Sequence, residues 1–224
     1  MESIVIGLGG SVILSDDITI TYFKDLTILL KDLSKKYKIF LVIGGGKTAR
    51  TYIKLGRDLN LSEETLDQIG IEITRLNAKL IANIIDISNK YIPLTTDEAK
   101  NIKKQVVVMG GTTPGHSTDM VGAELAEKIG ASKYIIATNV DGVYDKDPNK
   151  FKDAMQLKEI SIKQLIQKYG TKWDTAGQNI IIDGPALEII DRANIPTFVL
   201  NGKKLEELKK AINNQTFNGT IIKK

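Results

Sequence analysis

The apolar residues of this chain fall into two alternating patterns. Short unbroken runs, SIVIGLGG at 3–10, KIFLVIGGG at 38–46, QVVVMGG at 105–111 and KYIIATNV at 133–140, read as buried strands. Between them, stretches with apolar residues three and four apart read as amphipathic helices: TITYFKDLTILLKDLSKKY, a helix over 48–59, and a longer one from Ser62 through SEETLDQIGIEITRLNAKLIANII. Ser62 with the acids behind it forms an N-terminal cap, and Leu66, Ile69, Ile73, Leu76, Leu80 and Ile84 form a stripe expected to face the core or a subunit contact. Further helices are expected near 96–103, in DMVGAELAEKIG, near 161–169, near 185–193 and in KKLEELKKAINN, with strands IPTFVLNG and GTIIKK at the end. Strand-helix alternation of this kind predicts an α/β fold with a mostly parallel sheet covered on both faces. No linker, low-complexity segment or tandem repeat interrupts it, so 1–224 is expected to form one domain.

Composition narrows the chemistry. No cysteine is present, which excludes disulfides and thiolate catalysis, and a lone histidine excludes histidine-rich metal sites. No metal site of the chain's own is expected; a metal would be a hard cation held by carboxylates and phosphates. The net charge of +4 is spread over helices in which lysines alternate with acids, so a solvated surface is expected and no nucleic-acid partner. No apolar stretch reaches the length of a membrane span and MESIVIGLGG lacks the features of a signal peptide, so the expected location is cytoplasmic, away from membranes.

The candidate chemistry lies where strands run into glycines. VIGGGKTAR ends like the phosphate loop of P-loop NTPases, but that loop requires G-x-x-x-x-G-K-[ST] and the position of its first glycine is Leu41. Anion binding survives that failure. Gly44, Gly45 and Gly46 let backbone N–H groups approach a phosphate at a helix start, and two further strand ends carry Gly9-Gly10-Ser11 and Gly110-Gly111. In a parallel sheet these turns emerge on one edge, which points to several phosphates and to phosphoryl transfer. The loop after Gly111 is rich in hydroxyls, and Ser117, Thr118 and Asp119 also suit the cap of the helix that follows. Lys47 stands beside a helix N-terminus, an unfavourable place for a cation unless an anion binds there.

The succession GGSV, VIGGGKTAR, IGIEITRLNAKLI, VMGGTTPGHSTD and TNVDGVYDKDP resembles the amino acid kinase superfamily, in particular its archaeal-type uridylate kinases, over nearly the whole chain. The resemblance implies a three-layer α/β/α sandwich with a mostly parallel central sheet, transfer of the γ-phosphoryl group of ATP to UMP, Mg²⁺ carried by ATP, and a homohexamer built as a trimer of dimers. It places UMP at Gly45, Asp67, Thr113, Pro114, Gly115, His116, Ser117, Thr118 and Asp119, with Asp67 on a ribose hydroxyl. It places ATP at Gly9, Gly10, Ser11, Gly46, Arg50, Thr138, Asn139, Tyr144 and Asp147, with Lys47, Arg50 and Asp119 as the catalytic groups. Residues up to about 130 would form the acceptor side and those from 131 the ATP side. Two positions depart from the family pattern. Many members carry a lysine where this chain has Gly7, and IIDGPALEII replaces a D-P-L-A-A pattern. A related kinase acting on acetylglutamate or isopentenyl phosphate, or a nucleotide-binding protein without turnover, remains an alternative reading.

Overall fold

In the computed structural model the described residues are 1–15, 17–148, 150–172 and 182–224. Strand β1 (Glu2–Leu8) leads through a four-residue helix α1 (Gly10–Ile13) to α2 (Ile20–Leu33), β2 (Tyr37–Ile43), α3 (Gly46–Asp58), α4 (Glu63–Ile84), α5 (Thr96–Asn101) and β3 (Val106–Met109). Then come α6 (Thr118–Ile129), β4 (Lys133–Thr138), β5 (Glu159–Ser161), α7 (Ile162–Tyr169), α8 (Gly184–Ala193), β6 (Thr197–Asn201), α9 (Leu205–Ile212) and β7 (Gly219–Lys223). Among the described residues the sheet order is β3-β2-β1-β4-β6-β7-β5, with β6–β7 antiparallel and its other strand pairs parallel. The mostly parallel α/β sheet expected from the apolar runs is therefore present.

Alternation along β1 and β2 divides the core in two. Ile4, Ile6, Leu8, Ile39, Leu41 and Ile43 face α2, α9 and the C-terminal half of α4. Val5, Phe40 and Val42 face the other way, toward α6 and α8. Such two-sided burial gives the three layers, and it explains why these strands are continuous apolar runs with no polar alternation.

Two short elements, α1 and β5, were not foreseen from the sequence. The stripe on α4 divides, its core alternative failing for three of its residues. Leu66 and Ile73 are buried, but Leu76, Leu80 and Ile84 are 65%, 47% and 36% exposed. The inward face of this helix runs instead through Thr74, Asn77, Ala78, Ile81 and Ala82, with Thr74 and Asn77 hydrogen-bonded to the backbone of the glycine turns.

Candidate active site

Strands β3, β2, β1 and β4 lie side by side and point the same way, so their C-terminal ends form one rim. The three glycine turns sit on that rim, the first two in direct contact. Gly9 N donates to Ala137 O at 2.9 Å and Gly44 N donates to Leu8 O at 3.0 Å. A Cβ on Gly10 would lie 2.2 Å from Gly46 N and 2.6 Å from Gly44 O, so the first two turns meet backbone to backbone. Gly46 adopts φ +65°, a left-handed conformation that favours glycine and that turns the chain into α3.

Helix α4 locks the turns in place. Asn77 Nδ2 donates to Gly44 O at 2.9 Å, Thr74 Oγ1 accepts from Gly111 N at 2.7 Å, and Arg75 donates from Nε to Gly111 O at 3.1 Å and from its terminal nitrogen to Thr112 O at 2.8 Å. Thus TRLN, met in the sequence only as part of a family signature, is the brace for the second and third turns. The signal for it was a row of polar residues on an otherwise apolar helix face.

The rim encloses a cleft of about 450 Å³, within the ordinary size range of small-ligand sites. Helices α3, α6 and α8 all start at residues lining it, Gly46, Thr118 and Gly184, so three positive helix ends converge there. Of the residues singled out from the sequence, Gly9, Gly10, Ser11, Gly45, Gly46, Arg50, Asp67, His116, Ser117, Thr118, Asp119, Thr138 and Asn139 line the cleft. Lys47 is exposed on the first turn of α3, outside the lining, as are Thr113, Pro114 and Gly115, although Asp67 Oδ2 accepts from Gly115 N at 2.6 Å and so ties that loop to the cleft. Tyr144 and Asp147 lie along the loop after β4, also outside the lining.

Two carboxylates stand opposite one another on the α6 and α8 side. Asp183, 6% exposed, caps α8 by accepting from Ala186 N at 3.0 Å and accepts a short hydrogen bond from Ser117 Oγ, which itself caps α6 by accepting from Met120 N at 2.9 Å. Loss of water around Asp119, reinforced by the charge of Asp183, holds its carboxyl well above the usual range. Desolvation also raises Asp183, against the Ser117 and Ala186 hydrogen bonds that oppose the shift. His116 Nδ1 lies 3.5 Å from Glu124 Oε1 and has no hydrogen-bond partner among the described residues.

Gly7 has a structural counterpart. Its Cβ would lie 3.1 Å from the hydroxyl of Tyr134, and one on Gly122 would lie 2.5 Å from the same atom. Tyr134 is fully buried and donates to Asp119 O at 3.0 Å. The space in front of position 7 is occupied by a phenol that holds the first turn of α6. Burial and the two nearby carboxylates push this phenol well up, so it stays a neutral donor. Sequence reasoning did not find Tyr134, nor Lys168, Lys172 and Asp183, all of which are in or beneath the cleft.

The geometry has relatives. The model of the Amino acid kinase family matches residues 2–201. The uridylate kinase of Methanobrevibacter smithii is 42% identical over 224 residues, 99% of each chain, and that of Methanococcus aeolicus 43% identical over 98% of each. Among solved structures, the uridylate kinase of Archaeoglobus fulgidus superposes with a TM-score of 0.85 at 39% identity, covering 99% of this chain and 100% of its own. The UMP kinase of Ureaplasma parvum shares the fold at TM-score 0.80 and 23% identity. With its parallel rim of glycine turns and full-length similarity of this kind, the chain belongs to the amino acid kinase family.

Proposed function

We propose that this chain is a UMP kinase, transferring the γ-phosphoryl group of ATP to UMP to give UDP and ADP. The observation that carries the reading is the meeting of three glycine turns and three helix N-termini in one cleft, in a chain similar along its whole length to uridylate kinases. A phosphate oxygen of UMP attacks the γ-phosphorus, the bond to the β,γ-bridging oxygen breaks, and ADP leaves with that electron pair. The acceptor is already an anion, so no general base is required. What the protein must supply is alignment and charge: N–H donors for the equatorial oxygens and cations for the charge that spreads over them.

In this reading UMP occupies the side formed by Gly45, Asp67 and residues 113–119, and ATP the side formed by Gly9, Gly10, Ser11, Gly46, Arg50, Thr138, Asn139, Tyr144 and Asp147. Lys47 and Arg50 meet phosphate charge from the first turn of α3, and Asp119 orients the groups around the transferred phosphoryl. Mg²⁺ carried on the ATP phosphates would supply charge neutralisation, and Asp119 and Asp183, which line the cleft, would be hard oxygen donors suited to face it. Among the described residues no helix is long and apolar enough to cross a membrane, and the assembly we assign is the homohexamer, with the apolar outer row of α4 against another copy.

The test is a coupled assay of ADP release from Mg-ATP with UMP, CMP, dUMP, acetylglutamate and isopentenyl phosphate as acceptors. UMP should give the highest kcat/KM, and dUMP a lower one because Asp67 loses a ribose hydroxyl to accept from. Tight nucleotide binding without turnover on any acceptor would overturn the kinase reading in favour of a binding protein, and equal kcat/KM for UMP and dUMP would remove the role of Asp67.

A further inference from the structure

The cleft poses a charge problem. Two carboxylates, Asp119 and Asp183, face the space in which two polyanionic substrates would meet, and the first strand contributes no cation, because position 7 is glycine and the room before it belongs to Tyr134. Phosphoryl transfer needs positive charge at the equatorial oxygens.

Among the described residues the cleft is lined by three long cations: Arg50 on α3, and Lys168 and Lys172 at the end of α7 and just beyond it. Lys168 is engaged elsewhere. Its Nζ donates to Asp145 O at 3.0 Å and reaches Tyr144 O at 3.4 Å, tying α7 to the loop after β4. Lys172 is exposed, on the wall of the cleft that also holds Asp183 and Gly184.

How Lys172 arrives there is visible in the backbone. Helix α7 ends at Gly170, whose N–H closes on Ile166 O at 2.8 Å and whose φ of +75° reverses the chain. The reversed chain then runs over the start of α8 so closely that a Cβ on Gly184 would lie 2.7 Å from Thr171 C, 2.8 Å from Thr171 Cα and 2.9 Å from Gly170 O. Only a residue without a side chain lets that turn sit down beside Asp183. The glycine that departs from the D-P-L-A-A pattern is therefore a seat for the turn carrying Lys172.

We propose that Lys172 is a catalytic cation, placing its ammonium against the transferring phosphoryl group, and that Gly184 is the specific feature that brings it within reach. Lys172 compensates for the lysine missing at position 7, from the connection between helices α7 and α8. The inference rests on the phosphotransferase reading above.

The experiment compares steady-state kinetics of the full-length protein, with Mg-ATP and UMP both varied, for wild type, Lys172→Ala, Lys172→Arg, Gly184→Ala and Lys163→Ala. Lys163 is exposed on α7 outside the cleft lining and serves as the control. Expected is a fall in kcat of about a hundredfold for Lys172→Ala with Tm and the KM for UMP close to wild type, and recovery of about tenfold of that in Lys172→Arg. Gly184→Ala should lower kcat in the same direction, and Lys163→Ala should leave it unchanged. A Lys172→Ala kcat within twofold of wild type overturns the inference and leaves the kinase reading standing. An increase in the KM for ATP with kcat intact overturns it also, since the charge would then serve ground-state binding only. Absence of turnover in the wild type with every acceptor removes the kinase reading, and the inference with it.

Discussion

The contact between the first two glycine turns makes one substitution unusually informative. In Gly10→Ala the new methyl would sit 2.2 Å from Gly46 N, 2.6 Å from Gly44 O and 2.6 Å from Gly45 C, all backbone atoms held by strands on one side and by α3 on the other. No rotamer change can relieve this. Restoring an ordinary contact requires the turns to separate by roughly 1 Å. Overpacking of this kind costs about 1–3 kcal/mol, or ~2–12 °C in Tm for a chain of this size. The catalytic consequence is larger. Displacing the N-terminus of α3 by that distance moves donors that must meet a transition state, and a 1 Å misplacement costs about a hundredfold in rate.

Gly130→Ala is the matched control. Gly130 ends α6 at φ +61° with no atom within 4 Å of a Cβ, so the methyl meets only conformational strain of about 1–2 kcal/mol, ~2–8 °C in Tm. Its kcat should match wild type. Gly9→Ala, whose Cβ would approach Ala137 O at 3.2 Å and Ser11 Oγ at 3.4 Å, should fall between the two. Differential scanning calorimetry with the coupled ADP assay gives both axes. Full activity and an unshifted Tm in Gly10→Ala would refute the reasoning, and so would equal loss of kcat in Gly10→Ala and Gly130→Ala, which would tie activity to stability alone.

Three further outcomes follow from the site. Asp119→Asn removes one member of a like-charged pair whose protonated form is favoured in the fold. The native state binds the proton more tightly than the unfolded chain, so wild-type stability falls as pH rises above the unfolded value of 3.8, until the folded carboxyl has ionised. The variant should show a shallower decline of Tm with pH and a higher Tm at pH 8, together with about a hundredfold or greater loss of kcat; an unchanged Tm profile would show that the pair carries no such cost. Tyr134→Phe deletes the donor to Asp119 O and should cost about 1 kcal/mol, ~2–4 °C in Tm, with kcat lowered more than the KM for UMP; kcat equal to wild type would limit the phenol to packing. Leu80→Glu on the exposed apolar row of α4 should reduce the mass measured by sedimentation without unfolding the chain, and an unchanged mass would move the subunit contact elsewhere.

The legible part of this molecule is the part built from repetition. Residues 39–43 are apolar on both faces because helices cover both faces, and a run of that kind reads the same in sequence as in space. Glycine turns were equally readable, since strand, glycine and helix start follow one another along the chain. What escaped was everything made by packing between distant segments. For Leu76 and Leu80 hydrophobicity left core and subunit contact both open; the core side goes to Thr74 and Asn77, because the neighbouring surface is the backbone of two turns and they satisfy its N–H and C=O groups. Tyr134 lies in a strand that any large apolar residue would suit, and its meaning appears only when Gly7 and Gly122 are found on either side of its hydroxyl.

These misses share a cause that bears on how the site works. A phosphate loop of the P-loop type keeps glycines, lysine and helix start in one stretch, so its chemistry can be read locally. Here the same requirements are divided: N–H groups come from the rim of β1, β2 and β3, bracing from the middle of α4, and carboxylates from the starts of α6 and α8. Divided in this way, the position of a cation is free to move between connections provided it still reaches the same few ångströms of space. A glycine at position 7 then need not mean a lost activity. On the role proposed for Lys172, the segment after α7, seated on Gly184, takes the place beside the phosphates that Tyr134 closes to position 7.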